Sequence, residues 1–287
     1  MLLKNEQQEL QALRKQLWDN GRISEWMLRA DTECFFYEDG IYSMLLWTQT
    51  NENQKLLMKE VDHCFRILRF LGAPPGFCVN WWRIPIKRVV QPDVFPTRAE
   101  VNGGWARHNI PEVFIFRLEE WDRVLIHECI HAFDWDVIPD SNVKSCLNRS
   151  IGGELTQALF EAATELNAEW LWCIIHSPAN DFSGETWLKQ IEWQQKQAFS
   201  ILARRQDVWI EDTSIFAYYV LKAILALNMT DFLISWLSGR VDTHTWCEQW
   251  SKYKQTFLQQ AELYKNTKHI ALIMRMTNPS LENFNYL

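Results

Sequence analysis

The pattern H-E-x-x-H occurs in the stretch Arg123-Val-Leu-Ile-His127-Glu128-Cys-Ile-His131-Ala-Phe-Asp134. Positions i and i+4 of an α-helix lie on the same face, so both imidazole rings can reach one metal ion. Imidazole nitrogens bind Zn²⁺ at about 2.0–2.1 Å. Glu128 lies beside His127, where its carboxylate can act as a general base without being a ligand. The apolar residues of the stretch fall on the opposite side, which predicts a buried helix over residues 121–135 with a metal-binding face.

A catalytic zinc ion needs a third protein ligand and an open fourth position. A second predicted helix, over residues 154–175, carries glutamates at intervals of four: Glu161, Glu165 and Glu169. All three lie on one stripe, and a solvated helix face would also explain them. Small alanines on the same turns favour the close approach of another helix. Spacing alone does not choose among the three glutamates.

These two segments resemble the mitochondrial metallopeptidase family that processes an ATP synthase subunit. That family carries H-E-L-I-H-A-F-D and then A-C-x-E-x-R-A, where this chain has His127-Glu-Cys-Ile-His-Ala-Phe-Asp134 and Ala162-Ala-Thr-Glu165-Leu-Asn-Ala168. The first segment is also similar to zincin-like proteins of large DNA viruses. The resemblance covers about residues 101–173 and implies a gluzincin-like peptidase. It makes Glu165 the third ligand, with Glu161 as the alternative, and Asp134 a carboxylate that orients a ligand.

The resemblance extends to Gly103-Gly104-Trp105 and to the apolar run Val113-Phe-Ile-Phe116. It implies that strand 112–117 is an edge strand over the metal, along which a substrate peptide pairs through main-chain hydrogen bonds. The two glycines would then permit a close approach of the backbone. A plain connecting loop is the alternative for the glycine segment.

The remaining patterns predict an α+β fold, mostly helical, with a small sheet beside the H-E-x-x-H helix. Further helices are predicted over residues 4–18, 53–71, 185–206, 214–237 and 243–265, and a strand over 77–84. We expect a helical region over 1–76, a zincin-like core over 77–180 and a helical region over 181–287, joined in one compact unit. Residues 266–287 are expected to form a loosely held tail.

Composition restricts the class of partner. The 287 residues include 29 basic and 36 acidic side chains and no basic block, which disfavours nucleic-acid binding. The most apolar run, 214–227, is interrupted by Lys222 and predicts a buried core helix, too short and polar for a membrane span. The 16 tryptophans are compatible with core anchors or with a surface for a protein partner.

Seven scattered cysteines without a C-x-x-C pair predict free thiols in a reducing compartment. Cys129 is rotated by roughly 200° from His127 and is therefore expected in the core. The first residues lack the apolar core of a signal peptide. We expect an intracellular, cytoplasmic protein, with virion-associated or mitochondrial placement as alternatives.

Together these features predict a zinc-dependent endopeptidase, in which His127, His131 and Glu165 hold Zn²⁺ and Glu128 activates a zinc-bound water. The predicted substrate is a peptide or protein, and a non-peptide amide is the next candidate. The main alternative is a non-catalytic structural or assembly protein whose zinc joins two helices, although such a site has no use for the glutamate. Tyr218 and Tyr219 could stabilise an oxyanion, but core packing is the favoured role for both. His176 could be a fourth metal-site residue or an oxyanion contact, but a position favoured by the dipole at the helix C-terminus is the preferred interpretation.

Overall fold

The computed structural model describes residues 25–26, 29, 31–155, 158–177, 184–205, 209–267 and 271–281 of the chain. Within these ranges the fold is α+β, with a small mixed sheet and a larger helical part, as predicted. The predicted helix over residues 4–18 lies outside the described residues. The predicted division into three regions stays a prediction.

The elements of the described residues are as follows. The strands are β1 (Thr32–Glu38), β2 (Ser43–Gln49), β3 (Cys78–Trp82), β4 (Val89–Val90), β5 (Gly104–Ala106), β6 (Glu112–Ile115), β7 (Gly153–Glu154), β8 (Trp209–Ile210) and β9 (Leu272–Ile273). The α-helices are α1 (Gln54–Leu71), α2 (Arg98–Val101), α3 (Trp121–Ala132), α4 (Ser141–Ile151), α5 (Glu161–His176), α6 (Gly184–Arg204), α7 (Lys222–Leu225), α8 (Met229–Leu237) and α9 (His244–Leu263). A π-helical segment, Phe216–Leu221, precedes α7, and short 3-10 turns cover Ala226–Asn228, Lys265–Thr267 and Pro279–Leu281.

The main sheet has the strand order β1-β2-β3-β6-β5. Strands β2, β3 and β6 are parallel, whereas β1 and β5 run antiparallel to their neighbours. The predicted strand 112–117 therefore exists as β6, but its expected position at the edge is wrong. Among the described residues, the edge strand beside β6 is β5, which contains Gly104, and β1 forms the other edge.

Two helices cover one face of this sheet. Helix α1 begins after Asn53, whose side chain accepts hydrogen bonds from two first-turn amides, and ends at Gly72 with a φ of 69°, as the predicted boundary required. Helix α3 packs against β5, β6 and α1. The indoles of Trp81 on β3 and Trp121 on α3 stack with their ring centroids 4.3 Å apart. The apolar side of the H-E-x-x-H helix is thereby fixed on the sheet.

The other side of α3 packs against α5, which belongs to the helical part of the molecule. The two helices are antiparallel, because His131 near the end of α3 lies beside Glu161 at the start of α5. At the opposite end, Asp122 on α3 lies beside His176 on α5. A second apolar cluster, built from α4, α5, α6, the π-helical segment and α9, supports this pair.

Two expectations for the chain's local structure are corrected, and two elements are present that were not predicted. The helix predicted over 154–175 begins only at Glu161, because residues 153–154 pair with β8. Helix α4 and the hairpin β1–β2 are the elements without a prediction. Residues 271–281 are not loosely held, since β9 pairs with β4 and the side chains of Met274 and Met276 are buried.

The cysteine prediction is wrong for two residues. Cys146 on α4 and Cys247 on α9 form a disulfide with a Cα–Cα distance of 6.3 Å. The other five are free thiols: Cys34, Cys64, Cys78, Cys129 and Cys173. Cys129 is buried in the core as predicted. The intracellular placement stays a prediction.

One helical run, Phe216–Leu237, is long and apolar enough to cross a membrane by length and composition alone, with a mean hydropathy of 1.5. Half of its most apolar window is buried inside the fold, and core helices of soluble proteins meet the same criterion. Its first half is the predicted core helix, since Phe216 and Val220 are fully buried. The predicted absence of a membrane span stays a prediction.

Candidate metal centre

Helix α3 brings the two histidines of the H-E-x-x-H pattern together. The Nε2 atoms of His127 and His131 are 2.9 Å apart, and the ring centroids are 4.6 Å apart. Both rings lie at one end of a cavity of about 430 Å³. The helical spacing therefore places the imidazole nitrogens as the sequence predicted.

Glu161, at the start of α5, supplies the third donor atom. Its Oε2 lies 3.3 Å from Nε2 of His127 and 3.3 Å from Nε2 of His131. Four ligands at about 2.0–2.1 Å in a tetrahedron are separated by roughly 3.3 Å. The triangle of two nitrogens and one oxygen therefore has the dimensions of one face of a zinc site.

Glu165, one turn further along α5, contacts the opposite side of the His127 ring. Its Oε1 lies 3.1 Å from Nδ1 of His127, and its Oε2 accepts a hydrogen bond from the buried guanidinium of Arg123. A carboxylate on Nδ1 holds the proton there and leaves the Nε2 lone pair free for a metal. The structure thus places Glu165 beside Nδ1 of His127 and Glu161 beside the Nε2 atoms of both histidines. The ligand role predicted for Glu165 stays a prediction, and the contacts of Glu161 favour the alternative.

Glu169, the third glutamate of the stripe, lies away from the histidines. Its carboxylate pairs with the buried ammonium of Lys222 and accepts a hydrogen bond of 3.0 Å from Gln190. None of the three glutamates forms a solvated face, because even the most exposed, Glu161, has a side chain only 12% exposed. The three glutamates of the stripe therefore have three different sets of partners: the histidine Nε2 atoms for Glu161, His127 Nδ1 and Arg123 for Glu165, and Lys222 for Glu169.

Asp136, not Asp134, orients His131. Both carboxylate oxygens of Asp136 lie 2.9 Å from Nδ1 of His131, and Thr164 on α5 donates a hydrogen bond of 2.7 Å to the same group. Asp134 has a φ of 58° and a side chain 65% exposed, and it approaches only His108, at 3.8 Å. The carboxylate beside His131 is therefore that of Asp136 and not that of Asp134, because α3 ends at Ala132 and the following turn directs Asp134 to solvent.

This difference predicts a matched pair of variants. We expect Asp136→Asn to lower zinc affinity by about 10–100-fold, because an amide no longer holds the His131 ring as a carboxylate does. Asp134→Asn, the control, should leave zinc affinity unchanged. Competition of each protein with a zinc-binding dye measures both constants, and equal affinities in the two variants would contradict the assignment.

The charges around the two histidines suit a cation better than two protons. Burial lowers the pKa of His127, but the Glu165 and Glu161 carboxylates outweigh burial and raise it to about 9. Burial also lowers the pKa of His131, but the Glu161 and Asp136 carboxylates outweigh burial and raise this pKa to about 11. Two imidazolium rings would point N–H donors at each other across 2.9 Å. A divalent cation shared by the Nε2 lone pairs removes this conflict, so the donor set fits Zn²⁺.

Glu128 faces the same cavity. Its side chain is buried, and burial, partly offset by the two histidines, raises its pKa to about 7. A general base is most effective when its pKa lies near the working pH. The position and the environment of Glu128 both suit proton transfer.

Gly103 and Gly104 allow β5 to lie directly against α3. A Cβ atom on Gly104 would lie 2.8 Å from Glu128 Oε1 and 2.7 Å from the carbonyl oxygen of Phe114. A side chain at this position would collide with both Glu128 and the neighbouring strand. The close approach expected at the glycine pair is therefore present, although it belongs to β5.

We expect Gly104→Ala to reduce catalysis while zinc is retained. The added methyl displaces Glu128 or β5 and should also destabilise the fold by about 1–3 kcal/mol. Gly184→Ala is the control, because a Cβ atom there meets nothing within 4 Å. Activity and zinc content measured below the unfolding temperature check the prediction, which fails if both variants behave like the parent protein.

The outer edge of β5 has no strand partner among the described residues. The amide of Phe116 donates to the carbonyl of Gly103, and Trp105 pairs with Phe114. Since main-chain groups alternate in an antiparallel pair, those of Gly104 and Ala106 point to the open edge. An extended peptide can add there as a further strand.

The two tyrosines and the histidine considered in the sequence have different positions. Tyr218 lines the cavity from the π-helical segment, and burial together with the nearby Glu161 carboxylate raises the pKa of its phenol. π-Helical turns often occur at functional sites. Tyr219 instead donates to the carbonyl of Met274 at 2.9 Å, and His176 lies at the other end of the α3–α5 pair beside Asp122.

Several groups at this centre were not predicted: Asp136, Arg123 and the edge strand β5. Arg123 is the first residue of the stretch Arg123–Asp134 and could have been suspected as a buried cation among apolar residues.

Comparison with protein-family models, with curated proteins and with solved structures finds no match.

Proposed function

We propose that this protein is a zinc-dependent endopeptidase with a zincin-like core. The observation that carries the proposal is the convergence of His127, His131 and Glu161 on one point of a cavity that Glu128 also lines. A purely structural zinc site needs a fourth protein ligand and no general base. The cavity beside the three donors instead leaves room for solvent and substrate.

Each residue of the centre has a separate task. His127, His131 and Glu161 would hold the ion, while Glu165 and Asp136 fix the two rings through their Nδ1 atoms. Bound Zn²⁺ supplies a Lewis acid that lowers the pKa of water towards about 7 and polarises a carbonyl group. Glu128 would accept a proton from water and pass it to the departing amine nitrogen, a contribution typically worth about 10²–10⁴-fold.

The substrate would bind as an extended strand along β5. Main-chain groups of Gly104 and Ala106 provide donors and acceptors for a peptide, and this mode requires no particular side chain. Trp105 and His108 line the same cavity. A peptide placed there passes in front of Glu128, which lies against Gly104.

The test is cleavage of a mixed peptide library, with products read by mass spectrometry. We expect cleavage by the zinc-loaded protein, loss of cleavage after chelation, and recovery when zinc is restored. A protein that retains its fold and binds zinc but cleaves no peptide supports the alternative, a zinc-containing structural protein.

A further inference from the structure

A second group of metal-binding side chains lies at the other end of α3. Its members are His63 on α1, Asp122 on α3 and His176 on α5, and their nearest donor atoms all lie within 4.8 Å of one another. Oδ2 of Asp122 is 2.7 Å from Nε2 of His176 and 3.6 Å from Nε2 of His63. The rings of the two histidines have centroids 5.1 Å apart.

The three side chains are nine-tenths buried or slightly more, with exposures of 7%, 10% and 10%. The Nε2 atom of His176 is fully buried and approaches Asp122 without the geometry of a hydrogen bond. Asp122 is already served by two other donors, the indole of Trp172 at 3.1 Å and the main-chain amide of Arg123 at 2.8 Å. These two N–H donors hold the carboxylate in a fixed orientation that does not depend on the histidines.

The geometry points to a second divalent transition-metal site, with His63, Asp122 and His176 as its protein ligands. Two imidazole nitrogens and one carboxylate oxygen form a donor set that suits Zn²⁺ and related ions. The separations of 2.7 and 3.6 Å differ by about 0.6 and 0.3 Å from the roughly 3.3 Å expected between ligands of a tetrahedral ion, so metal binding requires only a small movement of the side chains. Asp122 and His176 also line a cavity of about 260 Å³, which gives an entry path and space for a water ligand.

This site would act on the fold rather than on the substrate. It joins three helices, and it fixes the first turn of α3 five positions before His127. A metal ion bound here would hold the H-E-x-x-H helix against both α1 and the end of α5. The inference does not depend on peptidase activity, because none of its ligands belongs to the cavity that contains Glu128.

The experiment is a Co²⁺ titration of the metal-free protein, followed by visible absorption and by the number of equivalents bound. We expect two equivalents for the parent protein and one for the double variant His127→Ala, His131→Ala. Adding His63→Ala to the double variant should remove the remaining equivalent. His244→Ala is the control, because this exposed histidine at the start of α9 should not change either number.

The outcomes separate the two metal sites. If the parent protein binds one equivalent of Co²⁺ and the double variant binds none, the second site is overturned and the proposed function is left intact. If the parent protein binds one equivalent of Co²⁺ and loses it only when His63 or His176 is replaced, the second site is supported and the proposed function is contradicted. If His63→Ala does not fold by circular dichroism, His176→Gln replaces it. A folded double variant that binds no Co²⁺ overturns the inference without either substitution.

Discussion

Replacing Glu128 with Gln should reduce peptide cleavage by about 10²–10⁴-fold and leave zinc content unchanged. The amide is close in size to the carboxylate but cannot accept the proton of water. The proposal makes Glu128 a base beside the metal and not a ligand, so its replacement should not release the ion, although its carboxylate lies close enough to the two histidines to bind a metal. The ratio kcat/KM for the best library peptide, measured with zinc content on the same sample, gives the result.

Glu192→Gln is the matched control, since Glu192 is 63% exposed on α6 and far from the cavity in the fold. It should cleave like the parent protein. Loss of zinc from Glu128→Gln would mean that Glu128 coordinates the ion. Unchanged cleavage would exclude Glu128 as the base.

The second large effect is a loss of zinc affinity that should differ between variants of Glu161 and Glu165. We expect Glu161→Gln to lower zinc affinity by more than the roughly 100-fold that is the upper end for a group acting through a ligand. Glu165→Gln should lower it by about 10–100-fold, because Glu165 contacts His127 through Nδ1 and not through the Nε2 that faces the metal position. Zinc dissociation constants from dye competition decide the order.

Glu165→Gln has a second consequence, because it removes the carboxylate that is paired with the buried Arg123. Removing one member of a buried ion pair typically costs about 3–5 kcal/mol of folding free energy. Glu169→Gln is therefore the control, since it breaks the equally buried pair with Lys222 but touches neither histidine. It should lower thermal stability without changing zinc affinity. A larger loss of affinity in Glu165→Gln than in Glu161→Gln would restore the assignment made from sequence resemblance.

The histidine pair could be predicted because helical periodicity alone brings positions i and i+4 together. The third ligand could not, because Glu161, Glu165 and Glu169 share one stripe. Which of them lies beside the histidines depends on the axial offset between α5 and α3. That offset is set by packing across the whole α3–α5 contact, to which distant residues such as those of α6 and α9 contribute.

Local backbone geometry explains the other corrections. Asp134 and Asp136 are two residues apart, and only the turn after Ala132, with its positive φ at Asp134, decides which one reaches His131. The edge strand β5 has three residues, too few for a periodic signal. The turn of the hairpin β1–β2 is indicated by Asp39-Gly40 in the sequence. Strand β2 could not be predicted from alternating polarity, because apolar residues also lie between its buried residues Met44 and Leu46.

The central claim is that one ion is held by His127, His131 and Glu161 with a position left for solvent. A crystal structure of the zinc-loaded protein, with the ion located by its anomalous scattering, tests this directly. We expect the zinc peak within about 2.0–2.2 Å of the two Nε2 atoms and of a Glu161 oxygen, with a non-protein ligand facing Glu128. A peak coordinated by Glu165, or one whose fourth position is filled by a protein side chain, would contradict the account.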